Sequence, residues 1–121
     1  MKPKILRVDE KDEFSTEERC HILELSNSPA DEGLSIARTR VEPGVTTALH
    51  RIADTAERYV ILSGSGRVEV EGIAPAEVGP NDVVIIPADA TQFITNTGDA
   101  DLIFLAICTP RFEQQRYEHL E

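Results

Sequence analysis

The chain has 121 residues, of which 12 are basic and 22 acidic, giving a net charge of −10. Its length is that of one domain, and 40% hydrophobic residues are enough for a hydrophobic core. The acidic excess argues against nucleic-acid phosphates or anionic membranes as partners, since both require a basic surface. The longest apolar run, Leu102–Cys108, is too short to cross a membrane. Polar residues after Met1 rule out a signal-peptide core, so we expect a cytoplasmic protein.

The segments, taken in chain order, predict an all-β barrel. Residues 1–33 form an N-terminal arm and the first strands, and Ser15 and Glu18 have the spacing of a capping box for a short helical turn. Residues 34–109 form the barrel core, and residues 110–121 form a tail or a short helix. Short apolar runs separated by turn residues indicate strands over 20–25, 34–41, 46–52, 57–63, 67–71, 76–78, 82–86, 92–96 and 102–109.

The alternation of side chains along a strand groups the polar residues of three predicted strands. Every second residue of a strand points to the same face. The sets that share a face are His50 and Ile52, then Glu57, Tyr59 and Ile61, and finally Gln92, Ile94 and Asn96. Each of the three predicted strands therefore carries polar and apolar side chains on one face, with an imidazole on the first, a carboxyl group on the second and two carboxamides on the third.

Two motifs in the same order resemble those of the cupins, a family of small double-stranded β-helix (jelly-roll) barrels. In the first motif, Gly44 is followed by five residues and His50, then by Ile52 at the second histidine position, Glu57 and Gly64. In the second, Gly79 leads to Pro87, Asp89 at a glycine position, Gln92 at the histidine position and Asn96. The resemblance spans residues 34–109 and implies that these strands aim His50, Glu57 and Gln92 into the barrel mouth.

The resemblance also implies a divalent metal, which cupins typically bind through three histidines and one glutamate. Here His50 and Glu57 remain, Ile52 cannot ligate, and the Gln92 amide oxygen is a weak neutral ligand. Three alternatives are open: a metal-free polar cluster, a weakened site for Mn, Fe, Ni or Zn on these three residues, or rescue of the site by a residue such as Asp54.

The expected function is binding of a small molecule in the barrel mouth, with the catalytic metal lost or weakened. The expected pocket residues are His50, Ile52, Glu57, Tyr59, Gln92 and Ile94. One alternative is a metal-dependent dioxygenase or isomerase that acts on a small acidic or sugar-like substrate. Another is a metal-free acid–base enzyme of the epimerase type, with His50 as base and Tyr59 as proton donor. Whether the chain is an enzyme stays open.

The remaining polar residues have less specific interpretations. Arg38 and Arg40 share a strand face and could hold an anionic substrate or pair with carboxylates. His21 and His119 match no motif and are expected at the surface or at a strand edge.

The two cysteines, Cys20 and Cys108, are expected to be buried thiols, since two residues make no disulfide framework. By resemblance to small cupins we expect a homodimer that packs one barrel sheet and exchanges the N-terminal strand around Ile5 to Val8.

Overall fold

Eleven strands form two antiparallel sheets in the computed structural model, which describes all 121 residues. The strands are β1 (Phe14–Ser15), β2 (His21–Ser26), β3 (Ser35–Val41), β4 (His50–Ile52), β5 (Ala56–Ser63), β6 (Gly66–Val70), β7 (Ala76–Val78), β8 (Val83–Ile86), β9 (Gln92–Asn96), β10 (Leu102–Thr109) and β11 (Tyr117–His119). One sheet has the order β1-β2-β3-β10-β5-β8 and the other β11-β4-β9-β6-β7. The all-β prediction is confirmed, and the architecture fits a jelly-roll barrel.

The nine predicted strands all appear, with ends shifted by a few residues. The largest difference is the run predicted over 46–52: Thr46 makes only an isolated bridge to Thr95, and the strand begins at His50. Short 3-10 turns at Glu10–Asp12, Pro29–Asp31 and Gln114–Arg116 are the only helical elements. None of them has the length or apolar character of a membrane-crossing helix.

The two chain ends follow paths that strand periodicity does not specify. The helical turn predicted from Ser15 and Glu18 is wrong, because Phe14–Ser15 pairs instead with β2 as a strand. Residues 16–19 form a non-helical turn, and a separate 3-10 turn lies earlier, where the Asp9 side chain accepts a hydrogen bond from the backbone N–H of Lys11. Near the C-terminus, β11 pairs with β4 and places Tyr117 opposite Ile52. The last residues are therefore part of the barrel, which sequence periodicity alone could not show.

Strand alternation places the predicted faces inside the barrel. On β4, β5 and β9 the residues His50, Ile52, Glu57, Tyr59, Ile61, Gln92, Ile94 and Asn96 are all buried. A fully apolar core packs between the sheets at Val41, Ile61, Val68, Ile94 and Leu102. Burial of each such side chain contributes about 1.5–3 kcal/mol. None of these five residues lines the barrel cavity described below, so the apolar core and the cavity are separate parts of the interior.

The second motif ends in a residue with a clear structural role. The Asn96 amide donates hydrogen bonds to the carbonyl oxygens of Val41 at 2.8 Å and Ala100 at 2.9 Å. Its Oδ1 accepts one from the N–H of Gly98 at 2.9 Å. These bonds satisfy backbone groups at the turn before β10 and hold β10 in register for the barrel.

The first motif ends at position 64, where both the backbone dihedral angle and the surrounding atoms require a glycine. Its φ is +85°, and a Cβ there would lie 2.6 Å from the carbonyl oxygen of Asp101. That atom belongs to the backbone and cannot move without disturbing β10. The glycine lets the turn after β5 approach β10 closely.

We expect Gly64→Ala to lower the free energy of unfolding by about 2 kcal/mol or more, because it combines backbone strain with a steric clash. Gly33→Ala is the matched control, since a Cβ at Gly33 meets no atom within 4 Å and its φ is not left-handed. Urea unfolding of both variants measures the difference. Equal stability of the two variants would contradict the assigned geometry.

Candidate ligand cavity

A cavity of about 130 Å³ opens between the two sheets. Its volume is close to the roughly 150 Å³ that suffices for a benzene-sized ligand in an apolar protein cavity. Its walls carry three glutamates, one histidine, two cysteines and five aromatic residues. Of the sequence-predicted pocket residues, His50, Ile52, Glu57 and Tyr59 line it.

His50 is held in one orientation by the backbone just before its strand. Its Nδ1 lies 2.8 Å from the carbonyl oxygen of Ala48. A carbonyl can only accept, so Nδ1 carries the hydrogen and Nε2 of the neutral ring has a free lone pair. The ring of Tyr117 stacks on the imidazole with 5.2 Å between ring centroids. The imidazole is thus oriented as a hydrogen-bond acceptor or a base.

Glu57 is a buried carboxyl group with an incomplete set of partners. Its Oε2 accepts from the thiol of Cys108 at 3.6 Å, while its Oε1 is buried without any hydrogen-bond partner. Burial raises the pKa of Glu57, and the nearby His50 and Gln92 only partly oppose that rise. The Gln92 amide makes no hydrogen bond of ordinary geometry to this carboxyl group. Glu57 therefore has unused capacity to interact with a bound molecule.

Two other predicted pocket residues lie behind the cavity wall. Gln92 is buried directly opposite His50 in the strand pair, and its amide oxygen accepts a hydrogen bond from the Tyr59 hydroxyl. Ile94 is fully buried in the apolar core. Neither contributes to the cavity surface. The Tyr59 hydroxyl thus holds the Gln92 side chain in place through this hydrogen bond. Burial raises the pKa of Tyr59 well above its ordinary value.

The N-terminal segment contributes site residues that the motifs do not contain. Glu18 extends from the turn before β2, and its Oε2 lies 3.6 Å from Nδ1 of His50. Burial raises the pKa of Glu18, while His50 acts against that rise. Glu24 on β2 also lines the cavity, and burial raises its pKa as well. The alternation of Cys20, Ile22 and Glu24 along the strand was the one signal in the sequence for this wall.

The two thiols are buried, as predicted, and both line the cavity. Burial raises the pKa of Cys20 to about 12, and burial raises the pKa of Cys108 further still. Both cysteines are therefore protonated thiols near neutral pH, which are poor nucleophiles and poor metal ligands.

Arg38 and Arg40 pair with carboxylates outside the cavity. Arg38 makes two hydrogen bonds of 2.7 Å to Glu10, and Arg40 binds Glu13 with a shortest distance of 2.6 Å. They project from β3 on the face opposite the cavity wall, where the segment around Glu10–Asp12 covers them. The carboxylate-pairing alternative therefore describes them, and no anion-binding arginine faces the cavity.

The two remaining histidines lie where the sequence placed them. His21 lies at the partly exposed edge, where its Nε2 is 3.3 Å from Oε2 of Glu42. His119 is exposed. Neither lines the cavity.

A cupin domain model matches residues 37–108, which is more than half of the chain. The chain belongs to the cupin family. The matched region contains β4, β5 and β9, the three strands that carry His50, Glu57 and Gln92.

Individual cupin proteins are similar to this chain over different fractions of its length. An oxalate-binding protein of Thermotoga maritima is 36% identical over 72 residues, which make up 59% of this chain and 58% of that protein. The structure of KdgF from Halomonas sp. superposes with a TM-score of 0.78 at 17% identity, covering 93% of this chain and 99% of the other. The nucleoside dehydratase Pac13 superposes with a TM-score of 0.79 at 13% identity, covering 98% and 92%. Identities this low establish the shared fold alone.

The side chains present do not fit the four-ligand metal site that the family implies. Ile52 occupies one ligand position. Gln92 occupies another, and its amide oxygen accepts a hydrogen bond from the Tyr59 hydroxyl. No three His, Cys, Asp or Glu side chains converge as metal ligands, and Asp54 is exposed rather than turned into the cavity. His50 and Glu57 alone supply one nitrogen and one carboxylate, fewer than a divalent transition metal requires.

The raised pKa of Glu57 predicts a pH-dependent effect of Glu57→Gln. The folded chain holds this proton more tightly than the unfolded chain does, so stability is lost as pH rises above about 4.3, the unfolded value. Glu57→Gln removes that loss while keeping the shape of the side chain. Its advantage in free energy of unfolding over the wild type should grow as the pH rises from about 4 towards neutrality.

Thermal unfolding across this pH range measures the effect. Glu77→Gln is the control, because Glu77 is exposed and its substitution should give no such trend. An advantage of Glu57→Gln that shrinks as pH rises would show that the carboxylate form is favoured in the fold, contrary to the assignment.

Proposed function

We propose that this cupin binds a small organic molecule in the barrel cavity and does so without a metal ion. The observation that carries the proposal is the Oε1 atom of Glu57, which is buried at the cavity wall without a hydrogen-bond partner. An unsatisfied buried polar atom costs about 1–3 kcal/mol. A ligand that supplies its missing partner recovers that cost on binding.

His50 supports the same proposal. With Nδ1 committed to the carbonyl of Ala48, Nε2 makes no hydrogen bond within the protein. A ligand with hydroxyl or N–H groups can therefore donate to both His50 and Glu57, while the apolar walls bury its carbon atoms. The T. maritima relative named for oxalate binding also points to a small molecule as the ligand, and the alignment spans only 58% of that relative.

A metal-free acid–base enzyme is the second candidate, and one observation favours it. His50 has the tautomer of a base, and the raised pKa of Glu57 makes that carboxyl group a potential proton donor in the same cavity. Tyr59 is less suited to proton donation than the sequence indicated, since its hydroxyl bonds Gln92. In this case His50→Gln would abolish turnover of any substrate found and leave folding intact.

Metal binding separates the proposal from a metal-dependent enzyme. Wild-type protein purified without a histidine tag should contain less than one equivalent of metal and bind Ni²⁺ weakly. Restoring both missing ligands in Ile52→His with Gln92→His should raise Ni²⁺ affinity by more than about a hundredfold, because loss of even an outer partner costs roughly 10–100-fold. Elemental analysis and calorimetric titration provide the measurements.

The control variant for this experiment carries Ile73→His with Ile85→His, which adds two imidazoles at separate exposed positions. It should bind Ni²⁺ like the wild type. Stoichiometric metal in the wild type that disappears in His50→Ala would refute metal independence and favour the metal-dependent enzyme.

We further propose a homodimer, because the outer face of one sheet carries a group of aliphatic residues with Arg58 among them. On the outer face of the six-stranded sheet, Val60 lies opposite both Val83 and Leu105, and Ile107 lies opposite Ile36. Val83 and Ile85 on the free edge strand are 56% and 70% exposed. The N-terminal arm also exposes Ile5 and Leu6 without pairing to any strand. A second copy could cover this face and pair with the arm.

Ile85→Lys tests the dimer, because it places a charge on the exposed edge strand of the proposed interface. We expect it to yield monomers in analytical ultracentrifugation at micromolar concentration, where the wild type is dimeric. Ile73→Lys is the control, since Ile73 is similarly exposed at 58% but lies in the turn between β6 and β7 of the other sheet. A monomeric wild type would contradict the proposal.

A further inference from the structure

The cavity has an excess of acidic groups. Glu18, Glu24 and Glu57 line it, and His50 is the only basic side chain among its walls. Glu57 is buried and the Glu18 side chain is only 25% exposed, so an isolated negative charge on either is costly.

The arginines of the barrel do not balance this charge. Arg19 makes two hydrogen bonds of 3.0 Å to Glu121, and Arg111 lies 3.4 Å from Glu32. Arg38 and Arg40 are committed to Glu10 and Glu13 on the outer side of β3. No lysine or arginine reaches the cavity, so an anionic ligand would face carboxyl groups without a cation to pair with.

Aromatic rings form much of the remaining wall. The lining includes Phe14, Tyr59, Phe104, Phe112 and Tyr117. Tyr59 and Phe104 pack with 4.4 Å between ring centroids, so at least two of the rings are adjacent. The faces of aromatic rings attract cations electrostatically, and aromatic walls recur in proteins that recognise alkylated ammonium groups.

We propose that the ligand of this cavity is a small organic cation, an amine or quaternary ammonium compound that also carries a hydroxyl or N–H donor. This inference rests on the proposed function of the cavity and specifies its ligand class. The positive charge pairs with the carboxyl groups and contacts the rings, and the donor group supplies a partner for Oε1 of Glu57, which has none within the protein. The volume of about 130 Å³ limits the ligand to a compact molecule.

Three probes of similar small size separate charge from shape. Choline carries a quaternary ammonium group and a hydroxyl group, and 3,3-dimethylbutan-1-ol has the same shape with a neutral carbon in place of nitrogen. Oxalate represents the anions. Calorimetry or ligand-observed NMR on chelator-treated protein, slightly above neutral pH and at low salt, should show choline binding at least about tenfold more tightly than the neutral alcohol, with oxalate unbound.

Variants locate the source of this preference. Glu57→Gln and Glu18→Gln each remove one ionisable carboxyl group with little change of shape, and each should reduce the preference for choline over the neutral alcohol. The exposed Glu77→Gln should leave both affinities unchanged. Circular dichroism of each variant confirms that the barrel is folded.

The outcomes test the cationic ligand class separately from small-molecule binding in the cavity. Equal or tighter binding of the neutral alcohol, or binding of oxalate to the metal-free protein, overturns the cationic ligand but leaves a small-molecule cavity. A choline preference that survives both glutamine substitutions overturns the assignment to this cavity. Failure of all three probes to bind at millimolar concentration overturns both proposals.

Discussion

The burial of the Glu57 carboxyl group, with one oxygen unpartnered, is the constraint on which the interpretation of this barrel depends. Strand β5 cannot place Tyr59 and Ile61 in the interior without placing Glu57 there as well, because all three share one face. In a metal-binding cupin a cation would balance such a carboxylate. Here Ile52 and the bonded Gln92 remove two ligands, and a protonated carboxyl group or a bound ligand must provide the balance.

The charges on the outside of the barrel are arranged differently from those in the cavity. Four arginines pair with carboxylates on the outer surfaces, so their positive charges lie outside the barrel. They are Arg19, Arg38, Arg40 and Arg51. Inside, thiols, aromatic rings and carboxyl groups remain around a single imidazole. The chain shares its family with an oxalate-binding protein, while its own cavity is lined by no lysine or arginine.

Local patterns were sufficient to predict the strands and part of the site. Alternation and turn residues located β2 to β10, and motif spacing placed His50, Ile52, Glu57 and Tyr59 on interior faces. Glu18 and Tyr117 could not be found in this way, since each reaches the cavity through the path of a chain end. Periodicity also could not decide which side of β3 faces inward. The pairing of Arg38 and Arg40 with carboxylates is therefore visible only in the folded structure.

The protonation of Glu57 in the free protein tests the central claim most directly. A ¹³C NMR titration of the side-chain carboxyl carbons, with Glu57→Gln to assign the resonance, measures it without reference to stability or ligand. The structure predicts a Glu57 pKa above about 4.3, the ordinary glutamate value. A Glu57 carboxyl group that titrates at or below that value would show that its charge is already balanced within the barrel, and would contradict the account.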